Sequence, residues 1–404
     1  MTSSPTRVPA TGVRRLTATL YGYAFLHDLV LLYPVYALLF ADTGLSVGQI
    51  STLFALWSVT GLVLEVPSGA WADAVSRRLL LGLGPLLTAA AFALWVCVPS
   101  YGAFALGFVL WGAGEALVSG AQEALVYDEL DRLGAAGRYA RVTGRARAAG
   151  LLGVLAAMGL AGPVLDLGGY PAVGAASVLA CLLAAAAATR FPEHRAPGAG
   201  GDGWTATLRG GLARVRDDRS VRGALLLVPA VTAVWGTLDE YTPLLVRETG
   251  VRDEHVPYLL LLVWAGATAG GLLAGPGERL AAGGPAALLA GSALALAAGA
   301  ATGTPAGLAL VALAFGGFQL ATVLADARLQ HRIDEAGRAT LTSVAGLGTG
   351  LATVVVYGAY GVVGSVSTHG TAFVWGAVPY LVTALLLGVR ARAGRHTGGR
   401  AAPR

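Results

Sequence analysis

Glu65-Val66-Pro67-Ser68-Gly69-Ala70-Trp71-Ala72-Asp73-Ala74-Val75-Ser76-Arg77-Arg78 separates two long apolar runs and gathers its charge where the second run begins. A charged turn between two membrane-length segments decides how the rest is read. Around it, 55% of the 404 residues are hydrophobic, 13% are charged and the mean hydropathy is +0.66. Soluble domains carry about 25% charged residues, so this is the composition of a membrane protein. There is no lysine, and all 28 basic side chains are arginines. They lie in the polar gaps between apolar runs and not on one face, which argues against nucleic acid as a partner despite a pI of 9.4. Cys97 and Cys181 sit singly in separate apolar runs, without the spacing of a disulfide framework or a metal site.

A bilayer crossing takes about 20 apolar residues. Such runs predict spans at 16–40, 48–70, 79–98, 102–126, 142–165, 171–189, 223–246, 256–275, 285–303, 306–327, 340–364 and 370–390. The expected fold is therefore an all-α membrane protein with twelve transmembrane helices. Arg14 and Arg15 precede the first run as in a signal peptide, but no small-residue cleavage site follows, and the run is read as the first span. With both termini cytoplasmic, every arginine except Arg247 and Arg252 falls on the cytoplasmic side, as the positive-inside rule requires.

The longest polar gap divides the chain into a six-helix half at 1–190, a cytoplasmic linker at 191–222 and a second six-helix half at 223–404. In the linker, Trp204, Leu208, Leu212 and Val215 recur at helical spacing among arginines, the pattern of an interfacial helix or of a solvated linker. The halves are pseudo-symmetric. The segment 38–44 after span one matches 244–250 after span seven, the same offset lays Gly69 on Gly275, and Gly137-Arg138 corresponds to Gly337-Arg338. Parallel six-span repeats are a transporter feature.

Gly69, Asp73, Arg77, Arg78 and Leu81 stand at the spacing of the loop 2–3 motif of the major facilitator superfamily, which this stretch resembles; Trp71, Ala74 and Ser76 depart from it. The span count, the six–six split and the place of the loop extend the resemblance over essentially the whole chain. Residues 65–69, residues 123–128 and the glycines Gly150, Gly159, Gly162 (before Pro163), Gly168 and Gly169 are similar to a bacterial, drug-exporter-like branch. The resemblance implies that spans 1, 4, 7 and 10 line a central cavity. It also implies a cytoplasmic latch of Gly69, Asp73, Arg77 and Arg78, with Asp73 near the start of span eleven.

The acids fit that arrangement. Spans 3, 6, 8, 9 and 11 carry no charge, whereas Asp28, Glu115, Glu123, Asp239, Glu240 and Asp326 fall in spans 1, 4, 7 and 10. A charge deep in a bilayer costs about 3 kcal/mol on lenient scales, so each acid calls for a wet cavity or a partner. Asp28 lies about 12 residues, roughly 18 Å, into span one, beside His27; it is either a proton- or cation-binding cavity group or an acid tied to a neighbouring helix. Glu115, Ser119 and Gln122 form one stripe at i, i+4 and i+7, read as a coupling or substrate surface or as a helix-packing contact. Asp239 and Glu240, near Trp235, receive a cationic ligand, close an outer gate or are simply exposed. Glu65, Glu123 and Asp326 are read as gate acids, with Arg145 and Arg147 as ion-pair partners or as snorkelling side chains.

No catalytic constellation and no phosphate-binding loop with its lysine is present, so neither an enzyme nor ATP-driven transport by this chain is expected, and no cofactor or metal is implied. The expected function is secondary active transport, the proton-coupled export of a small cationic or amphiphilic compound of drug or antibiotic type by alternating access. The alternative is a proton-coupled uptake symporter for a nutrient or metabolite. The expected partners are the small-molecule substrate, protons and the lipid bilayer of a bacterial plasma membrane, with the chain a monomer.

Overall fold

The computed structural model describes residues 10–194, 219–281, 283–331 and 338–398, and no strand occurs among them. They form two compact units, one of Met1–Leu45 with Leu56–Gly201 and one of Ser46–Ala55 with Asp202–Arg404. Nine helical stretches among the described residues are long and apolar enough to cross a membrane. The suggested interfacial helix at 204–215 lies outside the described residues.

The first unit is built from α1 (Ala10–Asp28), α2 (Tyr36–Asp42), most of α3 (Val47–Ala74), α4 (Arg77–Cys97), α5 (Tyr101–Arg132) and α6 (Tyr139–Ala188). Serine caps set two of the starts: Ser76 Oγ accepts the Leu79 N–H at 3.2 Å and Ser100 Oγ accepts the Ala103 N–H at 3.4 Å. Each such cap contributes about 1 kcal/mol. α6 holds the fifth and sixth predicted spans, which turn at Gly169, whose φ of +62° suits a residue without Cβ.

Span one departs from the sequence reading. The apolar run 16–40 predicts one helix, but α1 ends at Asp28 and α2 begins only at Tyr36. Pro34 has no N–H to continue the ladder. The Leu32 N–H is taken up by Ser177 Oγ of α6 at 2.9 Å, so the interrupted backbone is satisfied by a neighbouring helix. Irregular backbone at membrane depth persists only where such partners exist.

The second unit comprises α7 (Arg219–Glu248), α8 (Val256–Leu272), α9 (Ala274–Gly277), α10 (Gly284–Ala301), α11 (Leu308–Gln330), α12 (Arg338–Val366) and α13 (His369–Gly398), together with the first residues of α3. A Cβ on Gly266 or Gly270 would stand 2.2 Å from the Ala312 carbonyl oxygen or 1.9 Å from that of Gly316. These glycines therefore bring the α8 and α11 backbones together. This contact lies inside the second unit.

The two matched segments, 38–44 and 244–250, both end in a helix stop. Thr43-Gly44 closes α2 and Thr249-Gly250 closes α7, with φ of +87° and +83° at the two glycines. Thr43 Oγ donates to the Leu39 carbonyl at 2.8 Å and Thr249 Oγ to the Val246 carbonyl at 2.7 Å. Glycine in this left-handed conformation is a common helix stop.

Candidate functional site

Asp28 is the last residue of α1, at the break in span one. A carboxylate at a helix C-terminus opposes the macrodipole, so its position calls for compensating partners. His27 supplies one: its Nδ1 lies 3.3 Å from Asp28 Oδ1. On the other side of the ring, Nε2 lies 3.6 Å from Glu115 Oε1 of α5. That same Glu115 oxygen accepts the Trp111 indole N–H at 3.3 Å. The buried Tyr23, one turn before His27, packs at a tilt beside the imidazole with ring centres 5.7 Å apart and donates its hydroxyl to the Leu81 carbonyl at 3.0 Å. Sequence reading placed Asp28, His27 and Glu115 in one site, and the structure joins them into a carboxylate–imidazole–carboxylate chain.

Space for Asp28 comes from glycines of α6. A Cβ on Gly153 would stand 2.4 Å from the Phe25 carbonyl oxygen, and one on Gly150 would meet the Asp28 carboxylate. The glycine series read as an exporter motif thus has a packing role at Gly150, while Gly159 has open space around it.

Two cavities flank this chain of groups. One, of about 460 Å³, is lined by His27, Asp28, Gln122, Glu123, Tyr139 and Arg147 among others. The other, of about 390 Å³, is lined by Trp57, Ser58, Glu65, Glu115 and Ser119. The stripe of Glu115, Ser119 and Gln122 is therefore divided, two members facing one cavity and Gln122 the other. Trp57 and Trp111 stack at 5.2 Å beside the second cavity, and Trp111 continues into a cluster with Tyr33, Tyr36, Trp95 and Phe108. Two acids and aromatic faces around one pocket make a surface suited to an organic cation.

The expected gate residues divide as well. Glu123 and Arg147 line the same cavity. Arg145 and Asp326 are exposed, and among the described residues neither forms an ion pair; nor does one join Glu65 to Arg145 or Arg147. Gly69 and Asp73 fall within α3, but the Asp73 side chain lies outside the described residues. Arg78 is exposed.

Arg77 has partners that sequence reading missed. Its guanidinium pairs with Asp128 of α5 at 2.5 Å, while its backbone N–H donates to Glu193 Oε1 at 2.7 Å. Glu193 Oε2 accepts the Ser76 hydroxyl at 2.5 Å. A carboxylate at a helix N-terminus is favoured by the dipole. Beside it, the buried Glu129 accepts from Arg132 at 2.9 Å and from the His194 backbone N–H at 2.7 Å. The acid directly after span six, in Phe191-Pro192-Glu193, was the available signal.

In the second unit, Trp235 is fixed at both ends. Its indole donates to Thr322 Oγ at 3.1 Å, and its backbone N–H donates to the Tyr380 hydroxyl at 2.7 Å. The same hydroxyl donates to the Val231 carbonyl at 2.9 Å, so Tyr380 is seated on one i→i−4 step of α7. Asp239 accepts a hydrogen bond from the Trp264 side chain, and Glu240 is buried.

The solved structures most informative here are transporters. The fold resembles a mutant of the nucleoside transporter NupG (TM-score 0.75, 14% identity, covering 92% of this chain and 98% of that one). It also resembles a D-xylose–proton symporter (0.64, 16%, 93% and 97%) and an auto-inhibited POT family peptide transporter (0.70, 15%, 94% and 97%). At these identities the likeness is one of fold. No curated protein matches the chain by sequence. The sequence profile of the Major Facilitator Superfamily matches residues 24–357. The chain belongs to the major facilitator superfamily and is a multi-pass membrane transporter of that type.

Proposed function

We propose that this chain is a proton-coupled exporter of a small cationic or amphiphilic compound, working by alternating access of two six-helix halves. The observation that carries the reading is the Asp28–His27–Glu115 chain, set at the break in span one between two acid-lined cavities. Discontinuous helices of transporters commonly meet their ligands and coupling ions at such breaks. Asp28 and Glu115 bind the proton; Glu65, Glu115 and Ser119, with the faces of Trp57 and Trp111, receive the cation. Asp239, Glu240 and Trp235 are the substrate- or proton-binding groups within the second half; Gln122, Glu123 and Arg147 line the cavity beside Asp28 in the first, and Arg145 and Asp326 act as gate residues of their own halves.

The topology proposed with it has twelve spans, both termini cytoplasmic and a monomer in the bacterial plasma membrane. Gly69, Asp73, Arg77 and Arg78 act as the cytoplasmic latch, with Glu65 contributing from the turn before it.

Everted membrane vesicles equilibrated with ethidium on both sides and then energised with a proton gradient test the direction. Gradient-dependent ethidium uptake into such vesicles, lost in Asp28→Asn and Glu115→Gln, is expected. Gradient-driven ethidium movement out of them identifies an uptake symporter instead.

A further inference from the structure

His27 is enclosed where the two acids are not: its side chain is 17% exposed, against 43% for Asp28 and for Glu115. Each acid faces a different cavity, Asp28 the larger one with Glu123 and Arg147, Glu115 the one with Glu65 and Trp57. The imidazole stands between them with one nitrogen toward each carboxylate. A neutral imidazole accepts at one nitrogen while donating from the other, which is the chemistry of a proton shuttle.

We infer that His27 is a proton relay joining the two cavities, passing a proton between Glu115 and Asp28 by exchanging its tautomers. The inference deepens the proton-coupled reading of this site and rests on it for its role in transport. In the starting state, Nδ1–H donates to the Asp28 carboxylate and the Nε2 lone pair faces a protonated Glu115. The proton on Glu115 Oε1 moves to Nε2, and the Nδ1 proton moves to Asp28 Oδ1. One O–H and one N–H bond break and one of each forms. The ring stays neutral, and the single negative charge moves from Asp28 to Glu115. The reverse passage restores the first tautomer.

The Nε2–Oε1 separation of 3.6 Å is longer than the roughly 2.9 Å of a hydrogen bond. Transfer therefore requires the Glu115 carboxyl to turn toward the ring, and the terminal torsion of a glutamate is soft. The other titratable and charged groups around the ring are Tyr23 on α1, Glu123 on α5, and Tyr139, Arg147 and Cys181 on α6. They come from all three helices packed at the site. None of them bridges the two acids as His27 does.

An infrared titration of the purified full-length protein in lipid tests the relay without a substrate. The Glu115 carboxyl band is identified as the one lost in Glu115→Gln, and its midpoint is followed in four backgrounds. Asp28→Asn is expected to move that midpoint by about one pH unit when His27 is present, as for strongly coupled sites. In His27→Gln it is expected to leave the midpoint in place. His27→Asn, which keeps a donor near the Nδ1 position, provides a second background if the first folds poorly. An equal displacement with and without His27 would overturn the relay. Failure of ethidium to move with protons would remove the transport reading and leave the coupling result standing.

Discussion

A β-carbon added to Gly150 would lie 2.1 Å from Asp28 Oδ2, so the carboxylate occupies space that exists only because residue 150 has no side chain. This relationship ties the glycine series of α6 to the acid at the end of α1. Gly150→Ala must displace the Asp28 side chain or part the two helices, and overpacking of this kind costs about 1–3 kcal/mol. The expected outcome is a folded, membrane-inserted protein with proton-driven ethidium flux reduced as far as in Asp28→Asn. Wild-type flux in Gly150→Ala would show that the placement of Asp28 is unimportant.

Gly153→Ala should be worse for stability than Gly150→Ala. Its Cβ would stand 2.4 Å from the Phe25 backbone oxygen, where no side chain can turn away. Thermal unfolding monitored by fluorescence-detected gel filtration should rank wild type above Gly150→Ala and Gly150→Ala above Gly153→Ala.

Glu193→Ala removes the acceptor for the Arg77 N–H and the Ser76 hydroxyl at the start of α4. The loss of that capping interaction should cost about 1 kcal/mol. Asp128→Ala, which removes a half-exposed ion-pair partner of Arg77, should cost less, in the range of surface pairs at about 0.5 kcal/mol. Comparing the two variants by thermal unfolding checks the order.

Tyr380→Phe deletes the hydroxyl held by the Trp235 N–H and the Val231 carbonyl. If α7 simply re-forms its own ladder there, stability changes little; if the step stays open, about 1–2 kcal/mol is lost for the unsatisfied pair. The geometry favours loss, because Phe318 stacks on the Tyr380 ring at 3.9 Å and holds it in place. Unchanged thermal stability would mean that the hydroxyl adds nothing to the helix.

The membrane class was legible from composition, and the acids worth naming were legible because charge is costly in a bilayer. Asp28 and Glu115 stand out for that reason, and His27 as the neighbour of Asp28. Their connection through the two ring nitrogens was not legible, since it depends on where α5 stands beside α1. The break after Asp28 was hidden by the apolar run that continues to residue 40, with Pro34 as its one mark. Arg77 was read by its motif as a latch residue, yet its contacts with Asp128 and Glu193 join positions 51 and 116 residues apart. Pairings over such distances leave no periodic trace in a sequence. The stripe on α5 failed in a more instructive way: helical spacing put Ser119 and Gln122 on one face, but Glu115 and Ser119 line one cavity and Gln122 the other.

The central claim, that the Asp28–His27–Glu115 chain couples protons to a cationic substrate, is tested most directly in proteoliposomes holding a trapped pH-sensitive dye. With no imposed gradient, an ethidium gradient should drive proton movement in the opposite direction in the wild type. Asp28→Asn and Glu115→Gln should abolish that movement, and Asp28→Asn, which lies outside the cation pocket, should still bind ethidium. Proton movement that persists in both variants, or ethidium flux in the wild type without any proton movement, would contradict the account.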